Sequence, residues 1–82
     1  MYKIVITKRA VKDIEKLTTD VKSQIGIKLN ELKNNPFYNS RKLQNPIIGN
    51  YRFRVGDYRI IFDLDQDKIV ILRIGHRKDI YR

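Results

Sequence analysis

The stretch Val55-Gly56-Asp57-Tyr58, which lies between two segments of alternating apolar and polar residues, constrains the fold more than any other feature of the chain. Glycine at the first of two central positions is typical of a type II′ turn, so the stretch predicts a two-residue β-hairpin. The predicted register pairs Val55 with Tyr58, Arg54 with Arg59, Phe53 with Ile60, Arg52 with Ile61 and Tyr51 with Phe62. One face of this hairpin is apolar, and the opposite face carries Arg52, Arg54 and Arg59.

A third strand of the same kind follows Asp65-Gln66-Asp67. A three-residue loop there pairs Phe62 with Val70, Ile60 with Leu72 and Tyr58 with Ile74, and it sets Arg73 opposite Arg59 with Ile71 on the arginine side. A four-residue loop would point Arg73 into the core, where an unpaired charge is costly. We therefore expect one face of a twisted antiparallel sheet to carry Arg52, Arg54, Arg59, Arg73 and Arg77.

Two helices are predicted before this sheet, after an opening strand over residues 2–7. Thr7 caps the first helix, which turns Ala10, Val11, Ile14 and Leu17 inward and keeps Asp13 among the charged residues of its outer face. Asp20 caps the second, whose apolar stripe is Val21, Ile25, Leu29 and Leu32 and which ends at Asn34-Asn35-Pro36. A loop is expected over residues 37–50.

These elements predict an α+β fold with an N-terminal strand, an α-helical hairpin packed on one sheet face, and a twisted antiparallel sheet. A chain of 82 residues is long enough for one modest core, so we expect a single domain over residues 1–82.

The charge balance indicates a polyanionic partner. With 18 Lys and Arg against 9 Asp and Glu, the net charge is +9, which favours nucleic acid. The sequence has no apolar run near the roughly 20 residues of a membrane span and no signal-peptide pattern, so we expect a cytoplasmic protein with no membrane partner. The absence of Cys excludes disulfides and Cys-ligated zinc, and with one His and scattered carboxylates we expect no metal or cofactor.

The arginines suit a phosphodiester. Arg54 facing Arg59 costs up to about 1 kcal/mol relative to a neutral pair, which favours an anion site, although both side chains could also form an ordinary solvated face. A guanidinium group binds phosphate bidentately, through two parallel hydrogen bonds to its oxygens. It also stabilises negative charge that develops in a transition state. His76 has a suitable unperturbed pKa for proton transfer, but the alternation points it away from the arginine face. The carboxylates offer no paired acid and base. Without Mg²⁺ ligands, attack by the 2′-hydroxyl of RNA is easier to support than hydrolysis of DNA.

The run from Tyr51 to Phe62, together with Gly75-His-Arg-Lys-Asp-Ile-Tyr81, resembles the RelE-type toxins of the RelE/ParE superfamily. The resemblance implies a toxin of a type II toxin-antitoxin system, a metal-independent endoribonuclease that cleaves mRNA on the ribosome and so inhibits translation. The 2′-hydroxyl would attack the adjacent phosphate. Two alternatives stay open: a non-enzymatic, ParE-like inhibitor of DNA gyrase, and a degenerate module that only binds its antitoxin.

The resemblance also implies roles for particular residues and partners. Arg59 and Arg77 match the family's catalytic arginines and Tyr81 its late tyrosine, and we add Arg54 to the catalytic set. The residues expected to contact RNA are Arg52, Arg73, Lys42, Lys78 and His76. Arg52 and Arg54 lie where one subtype has lysines, and arginine is a poor proton carrier because it is never deprotonated. The expected partners are a RelB-like antitoxin that wraps the toxin, mRNA in the ribosomal A site, and ribosomal RNA.

Overall fold

One mixed sheet of five strands, with two helices, makes up the computed structural model, which describes residues 2–37, 40–42 and 51–80. The elements in chain order are β1 (Lys3–Ile6), α1 (Lys8–Glu15), α2 (Thr19–Asn34), β2 (Ser40–Lys42), β3 (Tyr51–Val55), β4 (Tyr58–Asp65) and β5 (Lys68–His76). The strand order is β1-β5-β4-β3-β2. β1 runs parallel to β5 and the other pairs are antiparallel. The predicted α+β class is confirmed, and the N-terminal strand is part of the sheet.

Capping hydroxyls start both helices. The Thr7 side chain accepts a hydrogen bond from the Ala10 amide, as predicted. Thr18, and not Asp20, caps α2 through the Val21 amide. Asp20 lies instead in the first turn of α2, where a carboxylate is stabilised by the positive end of the helix dipole.

The core lies between the helices and one face of the sheet. Its buried members are Ala10, Ile25 and Leu32 from the helices and Phe53, Val55, Ile60, Phe62, Ile69, Ile71 and Ile74 from the sheet. The prediction that the helices cover one sheet face is therefore confirmed. Val11 was expected in this core but is 42% exposed, because the inward side of the short helix α1 is taken by Ala10 and Ile14.

The first hairpin has the predicted register at all five pairs, from Val55 with Tyr58 to Tyr51 with Phe62. Gly56 has a φ of 57°, which is the positive value that a type II′ turn needs at its first central position. A glycine takes this conformation without steric cost, which is why the sequence signal was sufficient.

The second hairpin differs from the prediction. Asp65 pairs with Lys68, so the loop has two residues, and Gln66 takes a φ of 57° although it is not glycine. Phe62 consequently pairs with Ile71, and the register then shifts so that Ile61 pairs with Arg73. Leu72 is the extra residue of this β-bulge, which resets the alternation. The placement of Ile71 on the arginine side and of Val70 and Leu72 in the core was therefore wrong.

The predicted loop over residues 37–50 contains a short strand, β2, which pairs antiparallel with β3. The Asn and Pro residues around this strand favour a loop assignment. Three residues are also too few to show the alternation that would identify a strand. Residues 38–39 and 43–50 lie outside the described part of the chain. Within the described part, neither helix has the length and apolar character that crossing a membrane requires.

Candidate nucleic-acid interface

Two rows of cross-strand neighbours form the sheet face opposite the core, here called the arginine face. One row runs across three strands through Arg52, Ile61 and Arg73, and the other runs through Arg54, Arg59 and Gly75. Residues paired in this way project from the same face of a sheet. The predicted grouping of Arg52, Arg54 and Arg59 is thus confirmed, but Arg73 lies opposite Ile61 and not opposite Arg59.

Arg59 is a buried arginine of the arginine face, with 6% of its surface exposed. Its Nη1 donates to the carbonyl oxygens of Gly56 and Tyr58, each at 2.8 Å. These bonds join the guanidinium to the turn of the first hairpin. Its partner Arg54 is exposed. The like-charge pair is therefore unequal: one arginine is fixed to the backbone and the other reaches solvent.

Arg77 reaches the same turn from the C-terminal side. Its amide donates to the Asp57 carbonyl oxygen at 2.7 Å, and its Nε lies 3.7 Å from Asp57 Oδ1. Both side chains are more than half exposed, and an exposed ion pair of this kind contributes little to stability. The backbone bond is what positions Arg77, and it places three arginines around one turn.

The segment after β5 folds back on the arginine face. Ile80 is buried, and its Cδ1 lies 3.4 Å from where a Cβ on Gly75 would stand. The amides of Asp79 and Ile80 both donate to the His76 carbonyl oxygen. A small residue at position 75 therefore leaves room for Ile80 to pack over the row that contains Arg59. The resulting turn carries Arg77 and the exposed Lys78.

His76 pairs with Tyr58, on the side of the sheet that faces away from Arg59. Its ring makes an edge contact with the Tyr58 ring at a centroid distance of 5.4 Å. His76 Nδ1 accepts a hydrogen bond from the Lys78 amide. The expected orientation away from the arginine face is confirmed, and the contacts of the imidazole hold the C-terminal turn in place.

Arg73 is directed to α1. Its Nε donates to Asp13 Oδ2 at 2.8 Å and its Nη2 to Oδ1 at 3.3 Å, while Oδ2 also accepts from the Ile74 amide at 3.0 Å. Asp13 was assigned to the outer face of α1, which is wrong because its carboxylate is bound to β5. Burial raises the pKa of Asp13, but the hydrogen bonds from Arg73 and Ile74 and the charges of Arg73 and Arg9 outweigh burial, so the net pKa is lowered.

Comparison with known proteins decides the family. The family model of the ParE toxin of type II toxin-antitoxin systems, parDE, matches residues 4–81. The chain is a RelE-type toxin of the RelE/ParE superfamily. It is 34% identical to toxin RelE3 of Methanocaldococcus jannaschii, over 96% of this chain and 94% of that protein. It is 30% identical to toxin RelG of Mycobacterium tuberculosis, over 99% and 97% of the two chains.

The fold of this toxin is also that of its relatives. The toxin-antitoxin complex RelBE2 of Mycobacterium tuberculosis contains a chain that matches with a TM-score of 0.83 at 26% identity, over 93% of this chain and 98% of that one. The resemblance inferred from Tyr51–Phe62 and Gly75–Tyr81 is therefore confirmed at the level of the superfamily.

Two predicted site residues of the toxin cannot be placed. Tyr81 lies outside the described residues, and of Lys42 only the backbone position in β2 is described. Among residues 2–37, 40–42 and 51–80, no group of three or more His or carboxylate side chains is arranged to hold a metal ion.

Sequence reasoning missed three residues that organise the site: Asp13, Asp57 and Ile80. Asp13 had a usable signal, because it lies three residues after the buried Ala10 and so on the inward side of α1. No sequence pattern indicates the roles of Asp57 and Ile80, because their contacts depend on how the C-terminal turn folds back onto the first hairpin.

Proposed function

We propose that this toxin is a ribosome-dependent mRNA endoribonuclease. The observation that supports the proposal most directly is the position of Arg54, Arg59 and Arg77 around one turn: Arg54 and Arg59 are cross-strand partners, and Arg77 is hydrogen-bonded to Asp57 between them. Three guanidinium groups at one place suit a phosphate that gains negative charge during reaction.

In the proposed reaction, the ribose 2′-oxygen forms a bond to the adjacent phosphorus as the bond from phosphorus to the 5′-oxygen breaks. The 2′-hydroxyl loses a proton and the departing 5′-oxygen gains one, which leaves a cyclic phosphate and a free 5′-hydroxyl. The exposed groups of Arg54 and Arg77 bind the phosphate oxygens, and the buried Arg59 supplies a fixed positive charge behind them. Arginine does not carry the protons, because it stays charged.

The other members of the proposed site have supporting roles. Tyr81 follows directly on the turn that carries Arg77 and Lys78 and is assigned to hold the nucleotide next to the cleaved bond. Arg52, Lys78 and Lys42 contact the RNA backbone. His76 positions the turn through its Nδ1 bond to the Lys78 amide, at 3.1 Å.

We further propose that a RelB-like antitoxin covers the toxin. A similar chain occurs with an antitoxin in the RelBE2 complex, and a net charge of +9 favours an acidic partner. The antitoxin would be expected to bind across the arginine face and so compete with RNA.

A second candidate function is the inhibition of DNA gyrase, because the matching family model is that of a ParE toxin. In that case the helices, and not the arginine face, would make the contact. Residues of the arginine face could then be replaced without loss of toxicity.

Induced expression of single variants without antitoxin tests these alternatives. Arg77→Ala and Tyr81→Phe are expected to relieve growth arrest and to abolish primer-extension stops within the codons of translated messages. Lys68→Ala, an exposed change at the opposite end of β5, serves as the control and should stay toxic. Undiminished toxicity in both site variants, together with lost supercoiling of plasmid DNA, would favour gyrase. Equal cleavage on the ribosome, in Mg²⁺ and in Mn²⁺, of a message with a phosphorothioate at the cleaved bond would support a metal-independent reaction.

A further inference from the structure

Three of the four amides of the C-terminal turn, residues 77–80, donate hydrogen bonds to His76. The Lys78 amide donates to Nδ1 of the imidazole at 3.1 Å. The amides of Asp79 and Ile80 donate to the carbonyl oxygen of His76, at 2.9 and 3.0 Å. The turn that presents the proposed catalytic arginine is therefore held by one histidine, through its side chain as well as its backbone.

The bond from the Lys78 amide requires a neutral imidazole. A backbone N–H only donates, so Nδ1 must offer its lone pair, and the proton of the neutral ring then lies on Nε2. The imidazolium ion carries a proton on both nitrogens. After protonation, two N–H groups would face each other across the 3.1 Å that now separates Nδ1 from the Lys78 nitrogen. This hydrogen bond therefore exists in only one protonation state of His76.

The spacing of this bond resembles that of a common turn built on other residues. Asn and Asp side chains accept a hydrogen bond from the amide two residues further along the chain, in the Asx turn. An Asn amide does not titrate, whereas an imidazole gains a proton as the pH falls from about 8 to about 5. A turn that is closed by His76 can therefore respond to pH, and the same turn closed by Asn cannot.

The cavity beside His76 lets the imidazole exchange protons with solvent. His76 is partly exposed, and its ring edge contacts Tyr58 at a centroid distance of 5.4 Å. The cavity has a volume of about 350 Å³, and its other titratable or charged lining residues are Asp13 and Lys16 of α1, Tyr58 of β4, Arg73 of β5 and Asp79 of the C-terminal turn. Arg77 and Lys78 follow His76 directly and are exposed. Groups of these kinds ordinarily keep one charge state between about pH 5 and 8, so the imidazole is the group that changes.

We infer that neutral His76, with its proton on Nε2, positions Arg77 for cleavage, and that protonation of His76 releases the turn and lowers activity. The inference rests on the proposed function, in which Arg77 binds the reacting phosphate. The Arg77 side chain is 56% exposed, so its direction depends on the turn that carries it. A displacement of about 1 Å at a reacting group can cost about 100-fold in rate. His76 acts through this turn and not on the RNA, which makes it a positioning residue.

Two variants separate the acceptor atom from the aromatic ring. His76→Asn keeps an acceptor for the Lys78 amide at every pH but loses the ring contact with Tyr58. His76→Phe keeps a ring beside Tyr58 and removes the acceptor. Single-turnover cleavage of a message on programmed ribosomes is measured for both variants and the wild type between about pH 5.5 and 7.5. The pH dependence of the reaction itself cancels when each rate is divided by that of His76→Asn.

The three proteins should differ in a set order. At about pH 7.5, His76→Asn should cleave at about a third of the wild-type rate, because the ring contact is lost. The ratio of wild type to His76→Asn should then fall by at least about tenfold towards pH 5.5, so that His76→Asn becomes the faster enzyme. His76→Phe should be slower than His76→Asn by at least about tenfold at every pH.

NMR of the purified, ¹⁵N-labelled toxin gives a readout that needs no ribosome. The ring nitrogens of His76 should show the Nε2–H form at about pH 7.5. As the pH falls, the Lys78 amide proton should shift upfield with the same midpoint as these nitrogens, because its acceptor is lost. In His76→Asn the Lys78 amide should not shift over this range.

A constant ratio of wild type to His76→Asn across the pH range would overturn the inference. A loss of about 100-fold or more in His76→Asn at pH 7.5 would also overturn it, because His76 would then carry a proton in the reaction. If the wild type cleaves but the Lys78 amide does not follow the imidazole, only the inference fails. If the amide follows the imidazole but the wild type cleaves no message, the proposed function fails and the response of the turn to pH stands.

Discussion

Asp13 binds Arg73 through both of its carboxylate oxygens, and one of them, Oδ2, also accepts from the amide of Ile74. β1 pairs with β5 only as far as Ile71, so among the described strands the next part of the β5 edge has no partner. The Thr7 amide and hydroxyl both donate hydrogen bonds to the Ile71 carbonyl oxygen. Further along β5, the Asp13 carboxylate accepts a hydrogen bond from the Ile74 amide. Two side chains at opposite ends of α1 thus continue the hydrogen bonding of the sheet edge.

Replacement of Asp13 should destabilise the toxin more when more of its hydrogen bonds to Arg73 and Ile74 are lost. The Asp13 and Arg73 side chains are only 13% and 24% exposed, so Asp13→Ala leaves a partly buried cation and a free amide and should lower the free energy of unfolding by about 2–3 kcal/mol. Asp13→Asn keeps an oxygen for Ile74 and should cost less, about 1–2 kcal/mol. Urea denaturation measures both values. Equal losses in the two variants would show that the amide bond contributes nothing.

The same carboxylate predicts a dependence of stability on pH. Because the pKa of Asp13 is lowered in the folded state, the ionised form stabilises the fold when the pH is above the unfolded pKa of about 3.9. This contribution is lost as the pH falls from there through the folded pKa. The difference in unfolding free energy between wild type and Asp13→Asn should therefore be constant above about pH 5 and shrink below about pH 4. A difference that does not change down to pH 2 would contradict the predicted shift.

Replacement of Arg59 should affect both stability and activity, whereas replacement of Arg54 should affect activity alone. Arg59→Met removes the donor that binds two carbonyl oxygens of the first turn and should lower the free energy of unfolding by about 1.5–3 kcal/mol. Arg54→Met, at an exposed position, should change it by no more than about 0.5 kcal/mol. Both variants should lose mRNA cleavage. A stable Arg59→Met protein would mean that the guanidinium does not hold the turn.

Gly75 and Ile80 predict a steric effect on the proposed site. A methyl group at Gly75 would meet Ile80 at 3.4 Å, which is ordinary contact, so Gly75→Ala should fold normally and remain toxic. Gly75→Leu needs the space that Ile80 fills and should displace the turn that carries Arg77. We expect cleavage to fall by about 100-fold or more, which primer extension on a translated message would detect. Equal activity of the two variants would show that Ile80 does not position Arg77.

The sequence was informative where a local signal matched the geometry. Glycine at position 56 identified the first turn, and the alternation around it then fixed five residue pairs and the opposition of Arg54 and Arg59. The superfamily followed from the same stretch. No comparable signal marks the second turn, because Gln66 adopts a positive φ without being glycine.

The remaining errors share a physical origin in tertiary packing. A bulge at Leu72 cannot be seen in the alternation of side chains, yet it places Ile69 and Ile71 in the core and Arg73 beside α1. Arg59 is buried and pairs with Gly75, over which Ile80 of the C-terminal turn packs. Charge patterning finds which residues are cationic, but only packing determines which of them are held and which reach solvent.

Gln66 provides a direct test of the unexpected second turn. A side chain at a φ of 57° strains the backbone by about 1–2 kcal/mol relative to glycine, and Gln66 is exposed, so few contacts are lost on its removal. The added freedom of a glycine in the unfolded chain opposes the gain by about 0.5–1 kcal/mol. Gln66→Gly should therefore raise the free energy of unfolding by about 0.5–1 kcal/mol in urea denaturation. The control Gln24→Gly, at an exposed position within α2, should lower it by about 1 kcal/mol. Destabilisation by both changes would mean that the loop takes the longer form expected from alternation, in which residue 66 needs no positive φ.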